Sequence, residues 1–356
     1  MLLGKHYLRN IYEVNSMKIA YIIYPEVIVS NKSNGVRAQA MVWGDALKDL
    51  GHDVTYIDNW GNYDWREYDV LHFFGSGLWT ISLAKRLSNL NKNIVLSPII
   101  DPIPKPQYIK YKFKYYLSSL TQNKINFNDN IYEDSLSYAL FKKILVRSSF
   151  EKEYINRVYH VANSQIRVVQ LAFDKKLEAV SFDIDSKQEL CLHISSIYQP
   201  RKNVIRLVDA AKKYGFNLIL AGNTGSDEQF RPIKDAIGNA SNIEVLGFVS
   251  EKEKLELYQK AKVFALPSIQ EGVGIVALDA AVLGCEIAIT DIGGPKEYYY
   301  GKCAEVAPYD VDSIGQGITS LLNGEKQYQP SLSKELIAKY SPGAMANKLV
   351  NVYKEL

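Results

Sequence analysis

The chain has 356 residues, 47% of them hydrophobic and 23% charged, with a formal net charge of +3. That is enough for two globular domains and too rich in apolar residues for a disordered chain. The weak positive charge gives no argument for a nucleic-acid partner, and no apolar run approaches the ~20 residues of a membrane span.

Residues 1–16 carry Lys5, His6, Arg9 and Glu13 and lack the apolar core of a signal peptide, so they are expected to form an N-terminal extension. From Met17 onward, short apolar runs alternate with amphipathic stretches. Strands are predicted at Lys18–Tyr24, Asp53–Ile57, Val70–Phe74, Ile94–Pro98, Ile144–Val146 and Arg167–Leu171, with helices at Arg37–Leu50 and Leu78–Leu90. The polar stretch Asp174–Glu189 reads as a linker. Strands follow again at Leu190–Ile194, Asn217–Leu220, Ile243–Leu246, Val263–Leu266, Glu286–Thr290 and Ala304–Ala307. In Pro342–Leu356, Met345, Leu349, Val350 and Tyr353 recur at helical spacing. Alternation of this kind predicts an α/β chain of two Rossmann-like domains, residues 17–175 and 176–340, with a final helix at 341–356. Ligands of such sheets bind beyond the carboxyl ends of the strands. Cys191, Cys285 and Cys303 have no metal-ligand spacing and fit a reduced, cytoplasmic setting.

One stretch carries the chemistry. The strand Val263–Leu266 ends at Pro267-Ser268, then Glu271-Gly272-Val273-Gly274 leads into an apolar helix, Ile275–Leu283, closed by Gly284. The first turn of that helix offers unpaired N–H groups and the positive end of its dipole, a site for phosphate. Two carboxylates beside it, Glu271 and Asp279, suit a neutral, hydroxyl-rich ligand such as a sugar. A bare Gly-x-Gly before a core helix would leave Glu271 merely solvated; the longer pattern favours function.

This segment resembles the signature of glycosyltransferase family 4, retaining enzymes of the GT-B fold. Their pattern is a Glu, Gly-aromatic-Gly, and a second Glu eight positions after the first. Glu271, Gly272 and Gly274 match, Val273 stands for the aromatic residue and Asp279 for the second Glu. The resemblance implies that Glu271 holds or polarises the donor sugar and Asp279 binds the ribose. It also implies two domains facing each other across a cleft, with the last helix crossing back to the first.

The remaining pieces follow from the same resemblance. Ser195–Asn203 looks like the loop in which an Arg and a Lys, six positions apart, hold the donor diphosphate. Lys202 matches the Lys, Ser196 occupies the Arg position, and Arg201 is the substitute cation. Phe248 and Val249 fall in the loop against the nucleotide base. Asp291–Glu297 resembles a further cleft loop, with Glu297 as its acid. Ser33-Asn34-Gly35-Val36-Arg37 resembles the glycine loop over the donor phosphates, and equally reads as a plain Asn-Gly turn. His72 matches the first His of a His-x-His pair whose second member is Phe74 here. It is either a sugar or acceptor contact or a satisfied core histidine.

Residues 102–128 contain no Asp or Glu, and their lysines, Lys105, Lys110, Lys112, Lys114 and Lys124, are mixed with aromatics. The segment suits a peripheral contact with an anionic membrane, or a solvated acceptor loop. Lys110, Lys112 and Lys114 alternate with aromatics at period two, which predicts no clean helical face. Asp183-Ile184-Asp185 spells the Asp-x-Asp of metal-dependent glycosyltransferases of another fold, but lies in the linker. No metal or other cofactor is expected.

Together these readings give a retaining, metal-independent, hexosyltransferase-like enzyme. The resemblance implies that it moves a sugar from a nucleotide-sugar donor to a glycan or lipid-linked acceptor, as in bacterial envelope polysaccharide synthesis. Its rivals are a catalytically idle nucleotide-sugar-binding module and a nucleotide-sugar epimerase of the same fold.

Overall fold

The computed structural model describes residues 16–25, 35–98, 100, 108–121 and 131–356. Residues 1–15, Ser33, Asn34 and the parts of 102–128 before 108 and after 121 lie outside this set.

The first sheet has six parallel strands: β1 (Lys18–Ile23), β2 (Asp53–Tyr56), β3 (Val70–Phe74), β4 (Ile94–Ser97), β5 (Lys143–Val146) and β6 (Ile166–Val168), in the order β2-β1-β3-β4-β5-β6. β3 and β4 are buried along their whole length, as near-continuous apolar runs in a sheet covered on both faces must be. Its helices are α1 (Gly35–Asp49), α2 (Leu78–Leu87), α3 (Tyr108–Thr121), α4 (Ile131–Tyr138) and α5 (Ser149–Tyr159). The helix over α3 departs from the sequence reading. Tertiary packing on α4 and α5 selects it, and intrinsic preference for alternation is too weak to resist that.

The second sheet comprises β7 (Gln188–Ile194), β8 (Asn217–Ala221), β9 (Ile243–Gly247), β10 (Ala261–Leu266), β11 (Glu286–Thr290) and β12 (Ala304–Val306), in the order β12-β11-β10-β7-β8-β9. Around it lie α6 (Val204–Tyr214), α7 (Asp227–Ile237), α8 (Glu251–Lys260), α9 (Ile275–Val282), α10 (Val311–Leu322) and α11 (Ser331–Tyr340). α7 and α8 start at full capping boxes, Ser226 with Gln229 and Ser250 with Glu253. Chain order reverses between β7 and β10, which opens a crevice beyond their carboxyl ends.

The last helix, α12 (Pro342–Tyr353), packs on α1 of the first domain. Tyr353 reaches His72 on β3, and Glu355 accepts from Lys143 and Arg167 at 2.6 Å each. These two cations hold the Glu355 carboxyl down to about 2.

Candidate active site

The crevice between β7 and β10 is built from two loops tied together. After β7 the chain makes a short 3-10 turn, Pro200–Lys202, and Asn203 takes left-handed backbone, φ 62. Asn203 Nδ2 donates to the carbonyls of Pro267 (2.9 Å) and Pro308 (2.5 Å), and Ile269 N–H donates to Arg201 O at 2.8 Å. These bonds hold the Lys202 loop against the Glu271 loop. Lys202 Nζ is ion-paired with Glu271 Oε2, and Ser268 Oγ donates to the same oxygen at 3.3 Å. Both paired side chains are only 11% exposed.

Gly274 caps α9 with φ 71. An added Cβ there would lie 2.6 Å from Leu266 Cδ2, so only glycine lets the chain turn into α9 against β10. The N-terminus of α9 thus stands next to the Lys202–Glu271 pair.

His193 lies beneath. It is fully buried, with Nδ1 2.8 Å from Ala265 O and Nε2 2.7 Å from Ser195 Oγ. Burial, chiefly, with a contribution from Lys202, pushes its pKa down to about 4, against the Ala265 bond and Glu271, which raise it. The ring is neutral at physiological pH. Ala265 O can only accept, so Nδ1 carries the proton and Ser195 Oγ donates to Nε2. His193 and Ser195 escape motif reading. The available signal is the period of two along a strand, which places both side chains on one face.

The other expected residues scatter. Arg201 turns inward: its Nε donates to Gln199 Oε1 at 2.9 Å and its Nη1 to Gln270 O at 3.4 Å, beside Glu271. Phe248 is exposed just after β9, and Val249 packs partly into the core. Gly272 and Val273 are buried, Gly272 beside the loop at Gly294. Asp279 is the expected ribose contact. One methylene shorter than Glu, it is buried and accepts from Asp174 N–H at 3.2 Å, under the linker.

Of the two readings of His72, the geometry favours the core histidine. It is 0% exposed, and both ring nitrogens are engaged, with Tyr353 OH at 2.7 Å and Ser97 Oγ at 2.8 Å. Burial drives its pKa down to about 3. The returning helix α12 makes it a core histidine. Gly35 and Arg37 open α1 in the first domain. Arg37 helps line a cavity of about 420 Å³ with Tyr21, Ile23, Met41, Tyr56 and Phe74, beyond the carboxyl ends of β1 and β3. Among the described residues no group of three or more metal-ligating side chains occurs.

Glu297 joins the two domains. Its carboxylate accepts from Ser149 N–H (2.8 Å) and Phe150 N–H (2.9 Å), the first turn of α5. The next residue, Tyr298, donates to Arg147 O (2.9 Å) and accepts from Leu171 N–H (3.0 Å). A carboxylate at a helix N-terminus gains from charge-assisted bonds and the helix dipole. Glu297→Ala is therefore expected to cost ~2 kcal/mol in urea denaturation and to increase the radius of gyration in small-angle scattering. No change in either would discard the interdomain clamp.

Residues 174–336 match the family model described as glycosyl transferases group 1. That match lies in the second half of the chain. An uncharacterized glycosyltransferase of Methanocaldococcus jannaschii is 25% identical over 231 residues, 62% of this chain and 59% of the relative. The O-antigen chain mannosyltransferase B of Escherichia coli is 23% identical over 252 residues, 66% of each chain. The chain thus spans about three fifths to two thirds of these relatives. A Rickettsia africae glycosyltransferase superposes with TM-score 0.69 at 18% identity, covering 96% of this chain and 98% of that one. Anabaena HepE, crystallised with UDP and glucose, gives 0.69 at 14% identity, covering 96% and 100%. The fold is that of the GT-B glycosyltransferase structures, and the segment that matches the group 1 model contains Lys202, Glu271 and α9.

Proposed function

We propose that the protein is a retaining glycosyltransferase that moves a sugar from a nucleotide-sugar donor to a hydroxyl of a glycan or lipid-linked acceptor. The observation that carries this reading is the largely buried Lys202–Glu271 pair beside the N-terminus of α9, within the segment that matches the group 1 glycosyltransferase model. An arriving diphosphate competes with Glu271 for Lys202. Binding therefore transfers the cation to the phosphate and frees the carboxylate to accept from sugar hydroxyls.

As the bond between the anomeric carbon and the phosphate oxygen breaks, negative charge grows on the leaving diphosphate. Lys202, Arg201 and the α9 amides stabilise it, which supplies locally the charge a metal would otherwise bring. The acceptor hydroxyl attacks from the face the diphosphate leaves, and its proton passes to the departing phosphate oxygen. The acceptor enters from the first domain, where the cavity at Arg37 offers apolar walls beside the Arg37 guanidinium. Ser196 at the expected Arg position and the engaged Asp279 favour a second reading, a donor-binding module without transfer.

A thermal-shift panel of UDP, GDP, ADP, TDP and CMP, without metal, tests the site. A ligand that binds only the native chain at a hundred times its Kd adds about 2.7 kcal/mol, so one base is expected to give a clear shift. Silence across the panel would remove the proposal. A shift without donor turnover on any acceptor would leave the binding module.

A further inference from the structure

A globular helix ordinarily turns its apolar stripe inward and its polar face to water. α3 also turns an apolar stripe to water. Ile109, Phe113, Tyr116 and Leu120 are 78%, 64%, 60% and 63% exposed, whereas Ser118 is 2% exposed. At 3.6 residues per turn, those four side chains fall within roughly 60° of arc. Ser118 and Tyr115 face the opposite way, and Tyr115 packs on the core of the first domain and beside His160, ring centroids 5.0 Å apart. The stripe is therefore the outermost surface of this helix. Leu136 on α4, which packs beside α3, is exposed as well, at 56%.

Charge identifies the occupant. Lys110 is exposed and Lys114 half-exposed, and both sit along one flank of the stripe. From residue 102 to residue 128 the sequence carries no Asp or Glu. An apolar ridge with lysines along its flank, on a segment that carries no Asp or Glu, suits an anionic bilayer surface. Lysine stems can lie along the apolar boundary while their ammonium groups stay at headgroup level. No described helix is long and apolar enough to cross a membrane, and α3, at 14 residues, would lie in the interface plane.

We propose that α3 is a membrane-docking helix that inserts Ile109, Phe113, Tyr116 and Leu120 into the headgroup boundary of an anionic leaflet. This surface is independent of the transfer reading and would hold for a donor-binding module equally.

The test is flotation of the full chain with phosphatidylcholine vesicles, with and without phosphatidylglycerol. The wild type is expected to float only with the anionic vesicles, and less as salt rises. The variant Ile109→Ser/Phe113→Ser/Leu120→Ser is expected to stay at the bottom while keeping its melting temperature, since all three positions are exposed. Lys110→Glu/Lys114→Glu is expected to lower partitioning at least ~10-fold. The proposal is overturned if the wild type fails to float, or if the serine variant floats equally well. It is also overturned if light scattering finds a dimer that the serine substitutions abolish while vesicles bind nothing.

Discussion

Lys202→Met is expected to lower kcat/KM by about 10²–10³-fold, the scale for losing one fixed charge-stabilising group in a transition state. It should also destabilise the fold, because Glu271 is left without its cation at 11% exposure. Breaking one side of a buried pair costs ~3 kcal/mol, and the residual solvent contact here trims that figure. Glu271→Leu should lose transfer as completely and destabilise through the stranded Lys202. In the double variant the two effects part company. Replacing both partners by apolar groups removes the unpaired charge, so stability should return toward wild type while transfer stays lost. Urea denaturation and donor turnover on the four proteins give the full cycle. Turnover within a few-fold of wild type for Lys202→Met would remove the pair from the chemistry.

Asp279→Asn is expected to stabilise the protein at pH 8 by a few kcal/mol and to do much less at pH 4.5. Burial, the leading cause, pushes the Asp279 carboxyl up to about 7 from 3.8. The Asp174 N–H bond and Lys254 oppose the rise, while the charges of Asp174 and Glu251 add to it. The native chain therefore holds this proton more tightly than the unfolded chain. Stability from this group is complete below the unfolded value, falls as pH rises from about 4 to about 7, and is flat above. A tenfold change in proton affinity is worth about 1.4 kcal/mol, so a rise of this size sets an upper scale of ~4 kcal/mol. Asparagine keeps an acceptor for Asp174 N–H and carries no charge to desolvate. Equal stabilisation at both pH values would show that Asp279 does not ionise at a buried cost. Donor affinity of the same variant bears on the ribose. Unchanged nucleotide binding would agree with a carboxyl committed to the linker.

The two loops that make the crevice differ in how visible they are in the chain. Glu271, Gly274 and the α9 start announce themselves, because a turn after a buried strand and a capped apolar helix are local features. Lys202 was legible only through the resemblance to the family's diphosphate loop. Its partner was not, since the Lys202–Glu271 pair spans 69 positions and depends on β7 and β10 being neighbours.

The sequence by itself determined the strands, the division into two α/β halves and the charged residues of the crevice. Period, punctuation and buried apolar runs act over a few residues, and those forces are written locally. Only the tertiary structure decided which groups are used up. His72 is engaged by Tyr353, 281 positions away. Asp279 is held by Asp174, 105 positions away. Glu297 is spent on α5. The same holds for α3, whose composition showed lysines and aromatics but not a helix with its apolar side outward. Burial and hydrogen-bond satisfaction are properties of what comes to lie nearby, and long-range packing alone sets that.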